Sequence, residues 1–231
     1  MPHPEAEDQT TLPAGTAAGR EPRTRAALPF VLPFLVFILL TEAGRWWPGS
    51  VVWIYPLKTM LAAALLWWHR RAYDELRPYW SWLAVAVGIL VLVLWIPLSH
   101  PSLLLARIDP VNPWETAGRW GWSWIAIRWI GSTAVVPVME ELFWRGFVAR
   151  YLVNPDFGRV PIGPLTPYAL VVSSLLFGVE HVQWVAGVMA GLAYAWVMGR
   201  TRSLGASVLA HAVTNGLLGA YVLITGDWRF W

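Results

Sequence analysis

Residues 132–148 read STAVVPVMEELFWRGFV, with two adjacent acids, Glu140 and Glu141, and one cation, Arg145, inside an otherwise apolar stretch. The other long apolar runs of the chain look like membrane spans. An ionisable side chain at bilayer depth costs roughly 2.5–3.5 kcal/mol on insertion scales, so two acids side by side in such a place need a reason. On a helix Glu141 and Arg145 stand four residues apart with the acid first, the better order for an ion pair. Glu140 is rotated from Glu141 by about a hundred degrees. Arg145 can therefore neutralise Glu141 while Glu140 faces elsewhere. A structural charge cluster explains the pair but leaves Glu140 unexplained.

The surrounding composition agrees with a membrane setting. The chain of 231 residues is 57% hydrophobic and 13% charged, with a mean hydropathy of +0.48. A soluble domain carries about 25% charged residues. Many of the eighteen tryptophans fall at the ends of apolar runs, among them Trp46, Trp47, Trp67, Trp68, Trp80, Trp82, Trp120, Trp122, Trp124, Trp228 and Trp231. That is where interfacial aromatic belts belong, and anchoring is the plain reading. The net charge of +3 comes from arginines scattered over the chain and a single lysine, with no dense basic run, which speaks against nucleic-acid binding. The absence of cysteine excludes disulfides, thiolate catalysis, cysteine zinc sites and palmitoylation.

Seven apolar segments follow one another: about 27–44, 51–68, 79–98, 120–153, 166–181, 183–199 and 204–225. None shows period-two alternation, and only a helix satisfies its own backbone in lipid without a closed barrel. The expected fold is all-α, a polytopic transmembrane helical bundle of about seven spans. Pro33, Pro56 and Pro137 fall inside spans, where neighbouring helices can satisfy the freed carbonyls. Four regions are expected: a disordered polar tail over 1–26, N-terminal helices and an interfacial loop over 27–119, a core over 120–225 and a C-terminal tail over 226–231. Ten arginines fall in alternate loops shared with the N-terminus and four in the others, which predicts an inside N-terminus. Gly187, Gly191 and Ala195 form a small-xxx-small stripe suited to close helix packing.

Two further patterns carry polar groups. FGVEH (177–181) puts Phe177 and His181 on one helix face, with Glu180 beside them near the helix end. HAVTN (211–215) does the same for His211 and Asn215. At 1.5 Å per residue, Glu140 lies roughly 20 Å before the end of its helix and His181 roughly 22 Å into its own. Those two helix ends share a loop, so the depths agree. His211 and Asn215 lie roughly 10 and 16 Å into their segment, a looser match. A carboxylate with a histidine can deprotonate water, and a histidine with an asparagine can donate to an oxyanion. Interhelical hydrogen bonding is the bland alternative. Zinc is the chemical rival, since Glu140, His181 and His211 could form a His2Glu site, although HExxH spacing is absent.

The ordered set EExxxR, FxxxH and HxxxN, over about 122–223, resembles the CPBP family of CAAX proteases and bacteriocin-processing or immunity proteins. Its type II CAAX prenyl endopeptidases are intramembrane glutamic proteases. The resemblance implies an integral, multi-pass membrane endopeptidase, in the inner (plasma) membrane if the chain is bacterial. The substrate would be a membrane-associated protein or peptide, cut without a metal or other cofactor. Glu140 and His181 would activate water, His211 and Asn215 would stabilise the oxyanion, and Glu141, Arg145 and Phe177 would support them. FGVEHVQW is also reminiscent of CAAX-protease-like proteins associated with bacterial exosortase systems. The alternatives are a non-catalytic membrane partner, such as an immunity or assembly factor, and a zinc-dependent form of the same protease.

Overall fold

Each of the seven apolar runs forms helix. The structure, a computed structural model, describes residues 23–47, 49–107 and 110–231. The expected disordered tail over 1–26 lies outside the described residues as far as residue 22, and helix α1 begins at Arg23. The helices are α1 (Arg23–Arg45), α2 (Val51–Trp68), α3 (Trp82–Leu98), the short α4 (Pro113–Ala117), α5 (Gly121–Ile130), α6 (Val136–Glu141), α7 (Ala149–Val153), α8 (Pro167–Val179), α9 (Trp184–Thr201) and α10 (Leu204–Thr225). No strand occurs among the described residues. By length and hydropathy α1 from Ala27, α2 and α10 are each able to cross a membrane, while α3 and α8 are shorter apolar helices. The surface agrees with a lipid contact: Trp46, Trp53, Trp68, Trp82 and Ile224 are all more than 70% exposed. Trp124 and Trp231 depart from the expected belt. Trp124 is buried, and Trp231 packs within reach of its ring.

Local sequence sets the helix ends. Ser81 caps α3 by accepting from Ala84 N, and Thr166 and Ser203 do the same for α8 and α10. Such caps satisfy amides that have no partner inside the helix. Gly226, at φ 70°, ends α10 in the left-handed conformation that glycine adopts without steric cost.

The run from Gly121 to Val153 is one unbroken helical rod with two widened turns, a π segment at Gly131–Val135 and another at Leu142–Val148. A purely α-helical reading of this stretch is therefore corrected. Pro137 explains the first widening. It has no N–H to give to the turn below and its ring crowds the carbonyl four residues back. A neighbouring helix makes up the loss, because Asn215 Nδ2 donates to the Ser132 carbonyl at 2.9 Å. Glu140 and Glu141 are the last two residues of α6, between the π segments. Such bulges occur often at functional sites.

The second correction concerns His181. It was expected on a helix, but α8 ends at Val179 and residues 180–183 form a break before α9. Thirteen residues of α8 span about 20 Å, two-thirds of a hydrocarbon core of about 30 Å. Other parts of the protein have to receive the backbone groups that such a break frees. Here the loop after α3 does so in part, with Leu105 N donating to Val182 O at 3.0 Å. The small-residue stripe works as a packing seam within this hairpin. A Cβ on Gly187 would come 2.9 Å from Gly178 Cα, and one on Gly191 would come 3.0 Å from Ser174 Cα.

The main core gathers Val91 and Trp95 of α3, Phe177 of α8, Tyr194 of α9 and Ala210 of α10 around Trp144 of the second π segment. Residues 226–231, set apart as a tail, fold back as a turn at Trp228–Phe230 and lay Phe230 on this core. The Arg229 guanidinium hydrogen-bonds both Asp227 oxygens, at 2.8 and 2.6 Å, and holds that carboxyl below its usual range.

Candidate active site

The expected pair forms as the spacing predicts. Arg145 Nε lies 3.2 Å from Glu141 Oε2, and both side chains are fully buried. Arg145 also donates to the Gly191 carbonyl at 3.0 Å and lays its guanidinium 4.4 Å from the Phe177 ring centre. Glu141 has two more partners. The Ser207 hydroxyl reaches Oε2 at 2.6 Å, and His211 Nδ1 lies 3.0 Å from Oε1. Both donors come from α10, so the buried carboxylate ties the rod to that helix. Neither Ser207 nor this use of His211 was foreseen. Ser207 lies four residues before His211, one turn below it on the same face, which is the signal that marks it.

Glu140 is buried too, yet its Oε2 has no hydrogen-bond partner among the described residues. Its neighbour is His211, whose Nε2 lies 3.9 Å from Oε2. His211 thus has one ring nitrogen on each acid. Tyr194 stacks on the same imidazole, ring centres 4.8 Å apart and 18° from parallel.

His181 is held differently. Its Nδ1 lies 2.9 Å from the Phe177 carbonyl, which can only accept. The proton of the neutral ring is therefore on Nδ1, leaving the lone pair on Nε2. Phe177 and Trp95 flank the ring, with centres 4.9 and 5.6 Å away. Phe177 therefore supports His181 through both its backbone and its ring. Beside it, Trp144 Nε1 donates to Glu180 Oε2 at 2.9 Å, a link the sequence reading did not find.

The three motifs converge on one space. Glu140, His181, His211 and Asn215 all line a cavity of about 180 Å³, together with Arg128, Ser132 and Trp231. No ion-pair contact joins Glu140 to His181 among the described residues. The two share the cavity wall, and Glu140 stands closer to His211. A second cavity of about 530 Å³ adjoins the first and shares Gln183 and Phe230 with it. Among the described residues, no group of three or more His, Asp or Glu side chains is gathered as metal ligands would be.

An apolar helical bundle around acids, imidazoles and a carboxamide is a membrane protein with the donor set of a hydrolytic site. Residues 122–217, less than half of the chain, match the family described as type II CAAX prenyl endopeptidase Rce1-like, in agreement with the resemblance drawn from the three motifs. The matched segment contains all three motifs and runs from α5 into α10. It does not support a link to exosortase systems. Neither the curated proteins nor the solved structures gave a significant match to the chain.

Proposed function

We propose that the chain is an intramembrane endopeptidase that hydrolyses a peptide bond in a membrane-associated protein or peptide, with Glu140 as general base. The observation that carries this reading is the meeting of Glu140, His181, His211 and Asn215 at one cavity, from motifs far apart in sequence. Water attacks the scissile carbonyl carbon and gives a proton to Glu140, assisted by the Nε2 lone pair of His181. The tetrahedral oxyanion accepts hydrogen bonds from Asn215 and His211. His211 Nδ1 already serves Glu141, so Nε2 donates only in the imidazolium form, whose charge Glu141 offsets. The intermediate collapses as the C–N bond breaks and the leaving amine takes the proton back.

The set supplies base and oxyanion donors from side chains alone, and the proposed mechanism is metal-independent. Asparagine fits an oxyanion donor better than a zinc ligand. The larger cavity gives a peptide a route to the site past Gln183 and Phe230. The same reading includes a multi-pass topology with an inside N-terminus, in the inner membrane if the chain is bacterial.

A scaffolding role would account for His181, His211 and Asn215, since each has a hydrogen bond within the bundle. It leaves Glu140 without a purpose. N-terminomics of membranes carrying wild type or Glu140→Gln tests the proposal. New protein N-termini that depend on wild type support it, and identical terminal profiles refute it.

A further inference from the structure

The cavity also contains a cation that the proposed chemistry does not use. Arg128, in α5, lies on the same helical rod as Glu140, twelve residues before it, and its side chain lines the same space. The two fully buried arginines are each matched to a carboxylate: Arg145 to Glu141, and Arg150 to Glu75. Arg128 has no ion pair among the described residues, and its Nε is buried with no hydrogen-bond partner. The guanidinium is held by aromatic faces instead, 4.5 Å from the Tyr55 ring centre, 5.4 Å from Trp124 and 5.8 Å from Trp231. Tyr55 is pinned in turn, its hydroxyl donating to the Arg128 carbonyl at 3.1 Å.

Ring faces hold a guanidinium in place without using its N–H donors. A buried donor left without an acceptor is costly, and a desolvated charge costs more. A planar fork of donors fixed in this way matches a carboxylate. We infer that Arg128 is a recognition residue for a carboxylate on the peptide that occupies the cavity. The inference rests on the endopeptidase reading for the identity of that occupant. Twelve residues of helix separate Arg128 from Glu140 by roughly 18 Å. At about 3.3 Å per extended residue, the carboxylate lies within about five residues of the scissile bond. It belongs either to the C-terminus of the substrate or to an acidic side chain.

The test measures binding, so it does not depend on turnover. A fluorescent apolar hexapeptide is prepared as the free acid, as the C-terminal amide, and as the amide with one internal Glu. Anisotropy is read on full-length wild type, Glu140→Gln, Arg128→Lys and Arg128→Gln in phosphatidylcholine nanodiscs, each checked for an unchanged melting temperature. Wild type and Glu140→Gln are expected to bind at least one carboxylate form about tenfold more tightly than the plain amide, as for a charge-assisted hydrogen bond. Arg128→Gln should bring that form down to the affinity of the amide, and Arg128→Lys should keep part of the preference. Whichever carboxylate form is preferred identifies the source. Equal binding of all three peptides to wild type overturns the inference, as does a preference that survives in Arg128→Gln. A change in Arg128→Gln confined to retention of added phosphatidylglycerol also overturns it, and makes Arg128 a lipid contact. A carboxylate preference without any peptide hydrolysis would leave the anion site standing and remove the protease reading alone.

Discussion

Glu141 accepts from His211 Nδ1 at 3.0 Å, and the opposite nitrogen of that imidazole faces Glu140 at 3.9 Å. One acid positions the ring for the other. Glu141 is also the partner of Arg145, so breaking this knot should unfold the protein before it alters chemistry. Removing one member of a buried ion pair costs about 3–5 kcal/mol, because the other charge is left uncompensated. Glu141→Gln and Arg145→Ala are expected to lower the melting temperature in detergent clearly. Wild-type melting temperatures for both would contradict this account.

Glu140→Gln should behave in the opposite way. Glu140 Oε2 has no hydrogen bond to lose within the bundle, so the variant should fold at least as stably as wild type. Its hydrolysis should be abolished, as measured with a substrate cleaved by purified wild type. Equal cleavage by the two proteins would end the general-base assignment.

Asn215 has two duties in the proposal, since one amide donor serves the Ser132 carbonyl. Asn215→Ala should lower turnover by roughly a hundredfold, as loss of an oxyanion donor does elsewhere, with KM little changed. A fall in melting temperature without a fall in turnover would reduce Asn215 to a packing role.

Metal content is open to direct measurement. Purified, active protein should retain its activity through chelation and carry no stoichiometric zinc. Activity lost on chelation and regained with zinc would replace the glutamic mechanism with a metalloprotease.

Gly178→Val should disrupt the hairpin that presents His181. A Cβ at Gly178 would meet Val188 Cγ2 at 2.3 Å and the Trp184 carbonyl at 2.8 Å. Overpacking typically costs about 1–3 kcal/mol, and contact with backbone puts this site at the upper end. Circular dichroism melts in detergent would show it, and an unchanged melt would mean that the seam can open.

Hydropathy located all seven helical runs because each is a long apolar segment, and three of the helices, α1, α2 and α10, are long and apolar enough to cross a membrane. The spacing of Glu141 and Arg145 gave their pairing, since four residues is a local helix rule. The departures came from features that sequence periodicity does not encode. The break after Val179 depends on the loop after α3 reaching Val182. The widened turns depend on Pro137 and on a carboxamide from α10. Ser207 and Arg128 were overlooked because each is a single polar residue in an apolar run, and only the fold brings them to Glu141 and to the cavity.

The π segment at Gly131–Val135 stands between Arg128 and Glu140, so it acts as a phase setting for the rod. An α-helix turns about a hundred degrees per residue, and a π turn differs from an α turn by a single residue. If the same residues ran on as regular α-helix, Arg128 would be swung by about a hundred degrees relative to Glu140. Arg128 and Glu140 line one cavity with this turn between them. A substitution that tightened this turn into regular helix, with the residue count unchanged, would therefore separate Arg128 from Glu140 without touching either residue.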